Sequence, residues 1–136
     1  EGIGDTIRVS LTGRGEEECD VGHEILRALG LRAGGFRMVS CPSCGRVQID
    51  LDRVAHEIEE GLKAIGHEGI TYAVMGCVVN GPGEARDADL GVAGGAGEGL
   101  IYRKGDLIRK VQEEDLVSAF LEEARRFKAE LDGAQV

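Results

Sequence analysis

Residues 5–12, "DTIRVSLT", alternate apolar Ile7, Val9 and Leu11 with polar neighbours, the period of a half-buried strand. The following "EEECDVGHEILRALGL" lengthens that period: acidic residues fill its first turn and apolar ones fall at Val21, Ile25, Ala28 and Leu29, which predicts a helix whose charge bias suits its dipole. A lone strand and helix cannot bury their own faces. "RAGG", Arg32 to Gly35, then breaks the pattern as a linker, so two segments are expected, residues 1–33 and residues 34–136.

Beyond the linker, "FRMVS" predicts a short strand that runs into "CPSCG", and "VQID" a further extended piece. "LDRVAHEIEEGLKAIG" sets Leu51, Val54, Ala55, Ile58, Leu62 and Ile65 on one helical face, with Asp50 or Asp52 placed to cap it. "ITYAVMG", "ADLGVAGG" and "GLIYRKGDLIRKV" are β-prone, the last turning near Lys104, Gly105 and Asp106 as a hairpin. A helix from about Glu113 to Leu131 closes the pattern, with the stripe Leu116, Phe120, Ala124, Phe127 and Leu131. The order β-β-α-β-β-β-α predicts an α/β (α+β) fold in which two helices cover a mixed or antiparallel sheet.

Composition narrows the function classes. The 136 residues carry 16 Lys and Arg against 25 Asp and Glu, a net charge of -9, and 42% are hydrophobic. That suffices for a core and argues against nucleic acid as a partner. No apolar run approaches the roughly 20 residues that span a bilayer, and no signal peptide opens the chain. A cytoplasmic protein with reduced thiols is expected. Starting on Glu1 and entering a strand at once, the chain reads as cut from something larger.

Three of the four cysteines fall where strands meet glycine-rich loops: Cys41 and Cys44 in "CPSCG", and Cys77 in "MGCVVNGPGEA". Strand ends hold a ligand firmly, while glycines let the backbone approach a cluster and offer it N–H groups. Glu84, carried back through Gly81, Pro82 and Gly83, is the nearest anionic candidate for a fourth position. Zinc remains open, although neither a second C-x-x-C nor a close histidine pair accompanies the first. A thioredoxin-like dithiol also remains open, but an extended "VQID" follows the pair instead of a helix. So does the reading of three cysteines with no common role. The other candidates are weaker. Cys19 is read as a helix-packing thiol, and His23, His56 and His67 as ordinary surface or helix-face residues. "GVAGGAGEG" lacks the lysine of a P-loop and is expected to be a flexible loop. "YRKGDLIRK" is either a solvated hairpin or a docking surface for an acidic redox protein.

"GIGDTIRVSLT", "CPSCGR" and above all "GCVVNGPGEA" resemble the 4-hydroxy-3-methylbut-2-enyl diphosphate synthase family of the methylerythritol phosphate route to isoprenoids. The resemblance spans nearly the whole chain. It implies that residues 1–33 are the last strand and helix of a TIM barrel plus a hinge, and that residues 34–136 are a sulfite-reductase-repeat-like domain holding a 4Fe-4S cluster. The implied cluster ligands are Cys41, Cys44, Cys77 and Glu84. Arg8 and Ser10 would hold the substrate diphosphate, and Asn80 would face substrate from the cluster side. The implied reaction is reductive opening of 2-C-methyl-D-erythritol 2,4-cyclodiphosphate, with reduced ferredoxin or flavodoxin as electron donor, in a homodimer of the full-length protein. Four thiolates would close a cluster. A carboxylate is harder and more exchangeable, which gives Glu84 its expected catalytic part. A non-catalytic metal-binding or electron-carrier module is the competing reading, and the fragment alone is expected to be inactive.

Overall fold

In the computed structural model, which describes residues 3–32, 34–66, 69–79, 83 and 85–134, the chain divides into two units, Glu1–Gly34 and Gly35–Val136. The first unit is built on helix α1, Gly15–Ala28, with Glu16, Glu17 and Glu18 in its first turn and Arg27 in its last. Residues 5–12 form no strand, contrary to their alternation. A strand exists only through a ladder, and within this unit no second strand is described to accept its backbone hydrogen bonds. Local bonds take over: the Leu11 N–H donates to Glu18 Oε1 at 3.1 Å, and Gly22 is the buried helix residue, facing Val9. The predicted stripe of α1 is present but uncovered, with Val21, Ile25 and Leu29 all exposed.

The second unit is a five-stranded sheet ordered β1-β2-β3-β4-β5: β1 Arg37–Ser40, β2 Thr71–Met75, β3 Leu90–Gly94, β4 Glu98–Arg103 and β5 Asp106–Gln112. The first three strands are parallel and the last three antiparallel, so the sheet is mixed. Helix α2, Leu51–Ile65, joins β1 to β2, and helix α3, Leu116–Ala134, follows β5. Asp50 caps α2, its side chain accepting the Arg53 N–H at 3.2 Å. Gly66 ends that helix in the left-handed region at φ 70°. A 3-10 turn at Glu113–Asp115 precedes α3, so that helix starts three residues later than its charge pattern suggests.

Both helices pack with one face of the sheet. Val54, Ile58 and Leu62 of α2 and Leu116, Phe120, Ala124 and Phe127 of α3 enclose Tyr72 and Val74 of β2, Leu90 and Val92 of β3, and Ile101 of β4. Tyr72 meets Phe120 edge to face with ring centroids 5.9 Å apart. The reverse face carries smaller groups, Ala73, Ala93 and Ala88 with Met75 and Tyr102. A second 3-10 turn, Ala85–Asp87, packs against β2, β3 and β4. Because both faces are covered, every residue of β3 is buried and β2 reads as one apolar run.

Two further expectations change. "VQID" is not a strand; its Gln48 N–H donates to Gly76 O, just beyond β2, at 2.8 Å, and Ile49 is buried in the main core. "GVAGGAGEG" is mostly strand, with Gly91–Gly94 in β3 and Gly99 in β4. Its glycines are there for clearance: a Cβ on Gly94 would meet Ile49 Cγ2 at 2.5 Å, and one on Gly99 would strike Leu116. The hairpin forms as predicted, since Lys104 and Gly105 take φ of 49° and 86°, the positive pair a two-residue connection requires. No helix among the described residues is long and apolar enough to cross a membrane.

Candidate metal centre

Cys41 is the first residue beyond β1. Its N–H donates to Val74 O at 3.2 Å, which continues the parallel ladder by one rung and fixes its Cα against β2. Its sulfur accepts the Gly76 N–H at 3.3 Å, and the half-buried side chain touches the core on both faces of the sheet. Cys77 lies two residues beyond β2 and is buried, only 5% exposed. Two of the predicted cysteines therefore sit at the carboxyl ends of neighbouring parallel strands.

Cys44 is exposed, on the irregular stretch that leaves Cys41. Ser43 before it takes φ 42°, a left-handed conformation uncommon outside glycine. The Val47 N–H then closes a turn onto Cys44 O at 3.1 Å. From that turn, residues 47–49 run across the strand ends: Gln48 is bonded to Gly76, Val47 fills the space a Cβ on Gly76 would take, and Ile49 fills the space beside Gly94. This strap was not foreseen, because "VQID" has the composition of a strand. The available signal was the pair of glycines, Gly76 and Gly94, at the ends of two apolar runs.

Glu84 and Asn80 lie outside the described residues, as does His67. Arg8 and Ser10 are exposed in the Glu1–Gly34 unit. Among the described residues no three His, Cys, Asp or Glu side chains converge closely enough to hold a metal ion. Cys19, expected to pack, is exposed on α1.

In donor chemistry the residues fit a soft metal or an iron-sulfur cluster. Thiols are the ligands such centres select, and a backbone N–H on a ligand sulfur is one means by which proteins tune them. The Gly76 to Cys41 bond supplies one.

Residues 37–126 match the family model of the GcpE protein C-terminal domain. The chain is 61% identical over 121 residues to the 4-hydroxy-3-methylbut-2-en-1-yl diphosphate synthase (flavodoxin) of Clostridium perfringens, covering 89% of this chain and 34% of that protein. To the protein of the same name from Geobacter sulfurreducens it is 57% identical over 130 residues, covering 96% and 36%. To that of Clavibacter sepedonicus it is 52% identical over 136 residues, covering 100% and 35%. The chain thus spans about a third of the length of these curated relatives.

Proposed function

The chain belongs to the GcpE family, whose C-terminal domain it carries, and from that premise we propose that it is the cluster-bearing part of a 4-hydroxy-3-methylbut-2-enyl diphosphate synthase. Cys41, Cys44 and Cys77 are the thiolate ligands, and Glu84 is the fourth, oxygen ligand. The observation that carries this reading is the placement of Cys41 and Cys77 at the same end of adjacent parallel strands, with the Gly76 N–H already directed at the Cys41 sulfur.

When bound, a 4Fe-4S cluster supplies the two electrons that open 2-C-methyl-D-erythritol 2,4-cyclodiphosphate with loss of water, drawn from reduced flavodoxin or ferredoxin. The chain's own residues bind and orient. Arg8 and Ser10 hold the diphosphate, the guanidinium matching phosphate oxygens by charge and by its forked donors. Asn80 orients the substrate by hydrogen bonding, and Glu84 serves as the exchangeable ligand that makes room for it.

The Glu1–Gly34 unit is, in this proposal, the last strand and helix of a barrel supplied by the rest of the polypeptide. Its uncovered Val21, Ile25 and Leu29 are the side chains an outer barrel helix would bury. The Gly35–Val136 unit is the sulfite-reductase-repeat-like cluster domain. The complete enzyme works in the cytoplasm as a homodimer, and this chain alone binds the cluster with little turnover.

Anaerobic reconstitution with ferrous iron and sulfide, followed by iron, sulfide and zinc analysis, tests the reading. Wild type should take up iron and sulfide, and Glu84→Cys should retain the cluster while losing its substrate-dependent spectral change. One equivalent of zinc without sulfide would instead favour the non-catalytic metal-binding module.

A further inference from the structure

We propose that Gly76 is a positioning residue that ties all three cysteines into one ligand set and tunes the centre they hold. The inference rests on the reading that Cys41, Cys44 and Cys77 bind the cluster, and it goes beyond that reading in naming what aligns them.

Three interactions meet at Gly76. Its N–H donates to Cys41 Sγ at 3.3 Å. Its carbonyl accepts the Gln48 N–H at 2.8 Å. On its open side a Cβ would come within 2.9 Å of Val47 Cγ2 and 3.2 Å of Val47 Cγ1. Val47 in turn donates its N–H to Cys44 O at 3.1 Å, so displacing Val47 displaces the Cys44 turn. Cys77 is the next residue in the chain. Gly76 therefore reaches Cys41 directly, Cys44 through Val47, and Cys77 through one peptide bond.

Backbone freedom does not require this glycine, since its φ lies outside the left-handed range. What it provides is clearance. Any side chain must push Val47 outward or rotate the peptide that carries the N–H to Cys41. The first movement shifts one sulfur ligand and the second weakens a hydrogen bond to another. A hydrogen bond to a ligand sulfur favours the more negative, reduced centre, so its loss lowers the reduction potential.

The test uses the full chain, reconstituted anaerobically with ferrous iron and sulfide, in four forms: wild type, Gly76→Ala, Val47→Ala and the double variant. Gly76→Ala should lose iron to a chelator about 10-fold faster, the scale on which residues behind a metal's ligands act, and its midpoint potential should fall. The double variant, in which the smaller residue 47 readmits the Cβ, should recover both properties. A purely structural role would move the thermal midpoint of the metal-free chain without moving the potential. If Gly76→Ala does not fold, the double variant decides: near wild-type iron loss and potential support the inference, and failure to recover overturns it. A cluster-loaded Gly76→Ala that matches wild type in both measurements overturns this inference alone. A wild-type chain that takes up no sulfide overturns the functional reading, and this inference with it.

Discussion

Asp89 and Thr71 are bonded to each other twice: the Thr71 N–H donates to Asp89 Oδ2 at 2.9 Å, and the Asp89 N–H donates to Thr71 O, also at 2.9 Å. The pair joins the start of β2 to the residue before β3. The Asp89 carbonyl also accepts the Lys104 N–H at 3.2 Å, which draws in the hairpin turn. Asp89→Ala leaves the partly buried Thr71 N–H without its acceptor and should cost about 1–3 kcal/mol. Asp89→Asn, which keeps an acceptor oxygen, should recover much of that. Urea denaturation of the metal-free chain measures both, and an Asp89→Ala midpoint equal to wild type would contradict the assignment.

Cys44 and Cys77 differ in burial, which separates folding from metal binding. With metal absent, Cys44→Ser on the exposed turn should change stability by no more than about 0.5 kcal/mol. Cys77→Ser, which places a hydroxyl in a buried site, should cost about 1–3 kcal/mol. Both should lose iron and sulfide on reconstitution. Denaturation midpoints and metal analysis of the same samples provide the comparison, and a Cys44→Ser chain with full iron and sulfide would remove that cysteine from the ligand set.

Arg103 of β4 reaches α3, where it pairs with Glu130 and lies 4.6 Å from the centre of the Phe127 ring. The hydrogen bond from Arg103 holds the Glu130 carboxyl below its ordinary value of 4.5, as the one from Arg109 does for Glu122. A depressed carboxylate contributes stability that is present above its unfolded-state value and is lost as pH falls through the folded one. The thermal midpoint should therefore drop between about pH 5 and pH 3. An Arg103→Met, Arg109→Met chain should show a shallower drop over that window. Thermal melts at stepped pH test this, and identical slopes would exclude the two pairs as a source of the acid sensitivity.

Hydrogen exchange should divide the chain by burial. The amides of α1, whose Val21, Ile25 and Leu29 are exposed, should exchange through local opening. Those of α2 and α3, which enclose the main core, should exchange only as the second unit opens globally. Protection of α1 equal to that of α2 would show that the first unit has a stability of its own.

The second unit was legible wherever one residue's neighbours in sequence decide its surroundings. The α2 stripe, its Asp50 cap and the Lys104-Gly105 turn each depend on local spacing or local φ, and each was found. "VQID" and "GVAGGAGEG" were misread because their conformations are decided by distant partners. Val47 and Ile49 lie as a strap because Gly76 and Gly94 leave room for them, and most of Gly91 to Gly99 is strand because β2, β4 and β5 supply its ladders. "DTIRVSLT" failed for the converse reason, since its alternation is real but no strand is described beside it. At the site, the strand-end positions of Cys41 and Cys77 followed from where apolar runs stop. The Gly76 bond to Cys41 joins residues far apart in the chain, and no local pattern encodes it.

The connection from β2 to β3 is pinned at both ends, at Gly76 by Cys41 and Gln48 and at Asp89 by Thr71. A chain segment held at two fixed points is a tether, and a group carried on it meets a nearby site at an effective concentration on the order of millimolar. In the function proposed above, Glu84 rides on that tether. Were Glu84 to be displaced from a metal there by substrate, it would remain attached through both ends of its segment, and its return would be an intramolecular event.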